Sequence, residues 1–102
     1  CFTTAELLIY EAMGLAEKGD GARAIAEGWS TKEGKLPVNP SGGLKSKGHP
    51  IGATGVSMHV MAAMQARGDA GPLQIEGAEI AGVFNMGGSA VANYASILEA
   101  VR

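Results

Sequence analysis

The side chains best suited to chemistry sit in one run, Asn39-Pro40-Ser41-Gly42-Gly43-Leu44-Lys45-Ser46-Lys47-Gly48-His49-Pro50-Ile51-Gly52-Ala53-Thr54-Gly55, and at the first position, Cys1. His49 is held between a glycine and a proline, and Pro50 suits the first position of a helix. A helix opening there would aim unpaired N–H groups and a positive dipole end at the imidazole, keeping it neutral and able to act as base or donor. The same pattern also fits a capping histidine in a glycine-rich loop, and both readings stand at this level. A phosphate loop fits less well. Gly43 and Gly48 have the required spacing, but His49-Pro50 replaces the Lys-Ser/Thr that such loops need. Lys45 and Lys47 read as solvated loop charges or as contacts for an anionic phosphate. Cys1, the one cysteine, cannot form an internal disulfide, and so reads as a reduced thiol, a reactive group or a small buried hydrophobe. His59 reads as a packed or solvated polar residue, Trp29 as a core or interface anchor, and Met58, Met61 and Met64 as helix packing.

The elements that must position these residues follow from periodicity and turn chemistry. Thr3-Thr4-Ala5-Glu6 has the form of a capping box, and Leu7, Leu8, Ala12 and Leu15 predict an amphipathic helix over 4–16. Gly19-Asp20-Gly21 breaks it. Asp20 then caps a short helix that runs to Glu27 and stops at Gly28. Residues 29–47, with Pro37, Pro40 and Ser41-Gly42-Gly43, predict extended chain entering a tight turn. The third helix is predicted from Pro50 to about Ala66, with Arg67 in its last turn and Gly68 in the left-handed position. Gly52 and Gly55 near its start cost about 1 kcal/mol each against alanine, which implies a close approach to the backbone there. Glu79–Asn85 predicts a strand, Met86-Gly87-Gly88 a turn, and Val91–Leu98 a returning strand, with a helix over 89–101 as the alternative on propensity. The fold class is α/β, with helices packing on a sheet that ends in two adjacent antiparallel strands.

Composition bounds the function. The chain has 102 residues, 46% of them hydrophobic and 18% charged, so it reads as one small globular domain over 1–102. No apolar run approaches the length of a membrane span. A net charge of −2 argues against a nucleic-acid partner, because phosphate affinity needs many lysines and arginines. Only five aromatic residues (Trp 1, Tyr 2, Phe 2) leave thin material for a core. The chain begins at Cys1 with no signal-peptide character, which is the expectation for a fragment cut in mid-structure.

Three motifs in order resemble those of the thiolase family. Gly48-His49-Pro50-Ile51-Gly52-Ala53-Thr54-Gly55 resembles its Gly-His-Pro segment, with Asn39-Pro40-Ser41-Gly42-Gly43 at the usual distance before it. Cys1-Phe2 followed by Thr3-Thr4-Ala5-Glu6-Leu7-Leu8 resembles the second half of the His-Asp-Cys-Phe motif of sterol-carrier-protein-type thiolases. Phe84-Asn85-Met86-Gly87-Gly88 falls where thiolases carry their last motif, Cys-x-Gly. The resemblance covers essentially the whole chain and implies a thiolase-like fold with an incomplete C-terminal half-domain.

The resemblance also implies roles. His49 would activate a nucleophilic cysteine in an N-terminal half that has no match here, and would help hold the thioester oxygen of an acyl-CoA. Such activation is needed because a thiol with a pKa of about 8.5 is mostly protonated at neutral pH. Asn85 stands in place of the Cys-x-Gly cysteine and cannot exchange protons usefully. Cys1 would be the replacement acid/base, and Gly87 would give a backbone N–H to an oxyanion hole. Coenzyme A is implied as a substrate, with Lys45 and Lys47 as weak contacts, no tightly bound cofactor and no metal. The complete protein is implied to be a homo-oligomer and cytoplasmic, or peroxisomal in a eukaryote. It would be a 3-ketoacyl-CoA thiolase, working by thiolysis or Claisen condensation, while the fragment alone would be inactive. The same scaffold accommodates a thiolase-like aldolase acting on a β-hydroxyacyl-CoA, or a non-catalytic homologue serving as a binding subunit.

Overall fold

The computed structural model describes residues 2–101 and divides into two compact units, residues 1–49 and 50–102. The first unit holds three helices: α1 (Thr3–Ala12), α2 (Gly21–Ala26) and α3 (Gly43–Lys47). Helix α1 stops earlier than its apolar spacing predicts. Gly14 adopts φ 77°, and the Leu15 and Ala16 amides both return to the Tyr10 carbonyl, closing the helix in a left-handed cap. The capping box does not form. Thr3 lies inside the helix, the N-cap is Phe2, and no side chain caps it. Glu6 instead accepts a hydrogen bond from the buried Tyr10 hydroxyl one turn on.

Asp20 occupies the N-cap of α2 as expected, but its side chain makes no cap bond and faces Arg23 at 3.7 Å. The cap comes from Glu11, whose carboxylate accepts the Gly21 amide at 3.1 Å. Gly21 must be glycine here, since a β-carbon would lie 2.5 Å from the Leu7 carbonyl oxygen. Residues 29–47 are less extended than predicted. Thr31–Gly34 forms a hydrogen-bonded turn, and Gly43–Lys47 coils into α3.

The second unit consists of α4 (Thr54–Arg67), a short 3₁₀ turn (Gly71–Leu73), β1 (Ile80–Gly87) and β2 (Ala92–Glu99). Helix α4 ends as predicted, with Arg67 in the last turn and Gly68 at φ 77°. Its start is corrected. The helix begins at Thr54, not Pro50, because Gly52 takes φ 80° and interrupts helical geometry. Pro50–Ala53 forms a turn in which the Pro50 carbonyl accepts the Ala53 and Thr54 amides, and Thr54 adds its hydroxyl to that carbonyl at 3.2 Å.

The strands form a two-stranded antiparallel hairpin, with Val83 opposite Ser96, Asn85 opposite Tyr94 and Gly87 opposite Ala92. The turn begins two residues later than predicted, at Gly88–Val91, so Gly87 closes β1. Strand alternation places Ala81, Val83 and Asn85 on one face, where α4 packs and Val83 is buried. On the other face Ile80 and Ile97 remain 65% and 74% exposed. Among the described residues the buried apolar set is Tyr10, Ala16, Ala24, Ala62, Ala70 and Val83, dominated by alanine.

A closed polar latch fastens the end of α4 to the segment before β1. Gln65 is buried, donates to the Leu73 carbonyl at 2.7 Å and accepts the Ile75 amide at 2.8 Å. Gln74 answers by donating to the Gln65 carbonyl at 3.0 Å and accepting the Ala70 amide at 3.0 Å.

Candidate functional site

In the first unit, the segment leading to His49 is shaped by residues at positive φ. Asn39 adopts φ 47° and its carbonyl accepts the Gly42 amide at 2.8 Å, making the turn that Pro40 and Ser41 occupy. Gly42 caps α3 at φ 84°, and a β-carbon there would come within 2.7 Å of the Ser46 β-carbon. Gly43, at φ 60°, lies against the Asn39 side chain. Helix α3 ends at Gly48, φ 83°, and this left-handed residue releases His49 from it. His49 is exposed, as are Lys45 and Lys47 on α3. The later start of α4 means that His49 is not a first-turn residue of that helix.

In the second unit, the close approach implied by the paired glycines is found at Gly55 and not at Gly52. A β-carbon on Gly55 would lie 2.7 Å from Nδ2 of Asn85, whereas one on Gly52 would meet nothing within 4 Å. Gly55 belongs to the first turn of α4, and Asn85 to the α4-facing side of β1. The segment after His49 and the last motif are thereby brought against one another. Gly87 lies two residues beyond Asn85, exposed at the end of β1.

Sequence reasoning missed one contributor. His59 is half-buried and bridges α4 to β2, with Nδ1 2.7 Å from the Gly55 carbonyl oxygen and Nε2 3.0 Å from the Ser96 hydroxyl. A carbonyl oxygen only accepts, so Nδ1 carries its hydrogen, while Nε2 shares a hydrogen bond with the Ser96 hydroxyl. No sequence signal pointed to Ser96, since the pair spans 37 residues.

Of the predicted site residues, His49, Lys45 and Lys47 belong to the first unit and Gly87 to the second. Cys1 lies outside the described residues. Among the described residues no group of three or more His, Cys, Asp or Glu side chains could hold a metal ion, and no helix is long and apolar enough to cross a membrane.

Comparison with known proteins identifies the family. The family model described as "Thiolase C-terminal domain-like" matches residues 1–100. An acetyl-CoA acetyltransferase of Methanothermobacter thermautotrophicus is 48% identical over 89 residues, which is 87% of this chain and 23% of that protein. Human sterol carrier protein 2 is 51% identical over 87 residues, 85% of this chain and 16% of that protein. A benzoylsuccinyl-CoA thiolase subunit of Thauera aromatica is 44% identical over 75 residues, 74% of this chain and 20% of that protein. The chain thus spans less than a quarter of the length of each of these relatives.

Proposed function

From the premise that this chain belongs to the thiolase family, as a C-terminal domain-like part of it, we propose that it serves as one portion of a longer acyl-CoA acyltransferase. The complete enzyme cleaves a 3-ketoacyl-CoA with free coenzyme A, or runs the reverse condensation, through an acyl-cysteine formed in an N-terminal half. The observation that carries this reading is the contact of Gly55 with Asn85, which joins the segment following Gly-His-Pro to the last thiolase motif.

In this mechanism His49 accepts the proton of the nucleophilic thiol and donates toward the thioester oxygen. In the condensation direction the thiolate attacks the thioester carbonyl. The tetrahedral intermediate collapses by breaking the carbon–sulfur bond to coenzyme A, which leaves as a thiol with the proton from His49. In cleavage the thiolate attacks the 3-keto carbon, and the C2–C3 bond breaks as Cys1 protonates C2. Free coenzyme A then takes the acyl group from the cysteine. Gly87 supplies a backbone N–H to the oxygen that becomes negative. Asn85 has no exchangeable proton of suitable acidity, so the α-proton of acetyl-CoA passes to and from Cys1. Lys45 and Lys47, both exposed on α3, meet the phosphates of coenzyme A. The complete protein works as a homo-oligomer in the cytoplasm, or in peroxisomes of a eukaryote. The fragment alone is inactive because it lacks the nucleophile.

Asn85 in place of the second cysteine also favours a thiolase-like aldolase that splits a β-hydroxyacyl-CoA. The test is acyl-CoA turnover by the full-length protein, comparing wild type with His49→Ala and Cys1→Ala. Thiolysis that requires free coenzyme A and is abolished by both changes supports the thiolase. Cleavage of a β-hydroxyacyl-CoA without coenzyme A, tolerant of Cys1→Ala, replaces it with the aldolase.

A further inference from the structure

The mechanism above uses the backbone of Gly87 but leaves the side chain of Asn85 without a task. Its setting has several unusual features. Alternation along β1 puts Asn85 on the face that α4 covers, in line with buried Val83. The first turn of α4 has a notch opposite it, because Gly55 lacks the β-carbon that would otherwise lie 2.7 Å from Nδ2 and 3.8 Å from Cγ. The floor of that notch is braced, since His59 ties the Gly55 carbonyl at 2.7 Å and Ser96 at 3.0 Å through its two ring nitrogens. Other polar side chains packed in this unit, Gln65, Gln74 and His59, are tied to protein partners. The half-buried Asn85 amide makes no hydrogen bond among the described residues.

We propose that the Asn85 side-chain amide donates a hydrogen bond to the carbonyl oxygen of the bound acyl thioester, so that the last motif supplies a side-chain donor two residues before Gly87. This rests on the thiolase reading. The chemistry suits the residue. A primary amide presents two N–H donors and carries no charge, so it can hold an oxygen that gains negative charge in either direction of the reaction. It takes no part in proton transfer, which remains with Cys1. The Gly55 notch leaves the amide room beside α4, and the His59–Ser96 brace holds the helix and the hairpin that bound that room.

The test uses the full-length protein and two unreactive probes. One is the ketone analogue of acetyl-CoA in which a methylene replaces the thioester sulfur; the other is S-ethyl-CoA, which has no carbonyl. Calorimetry on wild type is expected to give tighter binding of the ketone analogue, whose oxygen His49, Gly87 and Asn85 share. Asn85→Asp removes both donors at constant shape and is expected to lower that preference about five- to tenfold, the worth of one net hydrogen bond, while S-ethyl-CoA binds as before. Gly55→Ala, which keeps Asn85 but pushes its amide aside, is expected to do the same and serves as the second variant if Asn85→Asp does not fold. Equal binding of the two probes by wild type, or a preference undiminished by both substitutions, overturns the role of Asn85 and leaves the thiolase reading standing. Failure of wild type to bind either probe overturns both.

Discussion

His59 Nε2 lies 3.0 Å from the hydroxyl of Ser96, joining the middle of α4 to the middle of β2. Ser96 stands opposite Val83, the most deeply buried residue of β1, so the bond closes over the part of the hairpin nearest α4. Ser96→Ala leaves a half-buried ring nitrogen without its partner and is expected to cost about 1–2 kcal/mol. Ser96→Thr keeps the hydroxyl and is expected to recover much of that loss. Urea unfolding of the full-length variants checks both, and equal stability of Ser96→Ala and wild type would contradict the bridge.

Gly55→Ala should separate stability from function. The inserted β-carbon meets the far end of the Asn85 side chain, which can turn away cheaply, and alanine gains about 1 kcal/mol of helix propensity over glycine. The folded state is therefore expected to change by less than about 1 kcal/mol, while acyl-CoA turnover falls. Gly82→Ala is the control. A β-carbon there makes only ordinary contact with Ile97 Cδ1 at 3.7 Å, so both stability and turnover should be retained. Paired thermal melts and turnover assays decide, and a Gly55→Ala enzyme with full activity would deny Asn85 any positional demand.

Much of this layout is legible in local sequence, because its causes are local. Arg67-Gly68 ends α4 by the left-handed freedom of glycine, and the alternating run around Val83 makes a strand wherever one face is covered. The cost of glycine at Gly55 likewise signals a close approach, although it does not name Asn85 as the visitor. What escapes local reading is decided by contacts distant in sequence. Glu11 caps α2 in place of Asp20, and Ser96 meets His59 from another element. The start of α4 escapes local reading for a different reason. Pro50 is compatible with a helix, but two residues later Gly52 adopts a left-handed conformation that a propensity argument does not choose. The candidate site was legible as motifs, while the grouping of Gly55, His59, Asn85 and Ser96 became visible only in three dimensions.

Tyr10 should titrate late. Burial is the largest cause, and hydrogen bonding to Glu6 adds to it, raising its pKa from 10.0 to about 12 while a hydrogen bond with Ser30 opposes. Below pH 10 the hydroxyl is protonated in both folded and unfolded chains, and its contribution to stability is complete. As pH rises from 10 toward 12 the unfolded chain loses its proton first, so that contribution falls and is gone above the folded value. Tyrosinate absorbance of wild type minus Tyr10→Phe, in the full-length protein, should show this late step. A difference titration centred near pH 10 would be inconsistent with the buried setting.

Gln65 tests the latch at the far end of α4. Gln65→Leu keeps a similar volume but removes the partners of the Leu73 carbonyl and the Ile75 amide together. Two backbone groups beside a buried side chain then lose their bonds, and the expected cost is about 2–4 kcal/mol. Gln74→Leu, which breaks the reciprocal bonds to Ala70 and Gln65, should cost less because Gln74 is only half-buried. Chemical denaturation of the full-length variants gives the ranking, and a Gln65→Leu protein as stable as wild type would mean that water replaces the latch at no cost.

The 102-residue chain by itself is expected to lack a cooperative unfolding transition of several kcal/mol. Among the described residues no large side chain is fully buried, and four of the six buried apolar residues are alanine, each offering little area. The hairpin leaves Ile80, Phe84 and Ile97 exposed on the face away from α4, and an isolated two-stranded hairpin is marginal in water unless three-stranded or packed on a helix. Helix α4 covers one face only. Placed in the longer protein proposed above, these side chains gain about 25 cal/mol for each square ångström of apolar surface removed from water. Urea denaturation followed by far-UV circular dichroism should therefore give a broad, shallow change for the isolated chain and a sharp one for the full-length protein. A sharp sigmoidal transition from the isolated chain would show that the alanine-rich core and the two polar clamps suffice without that cover.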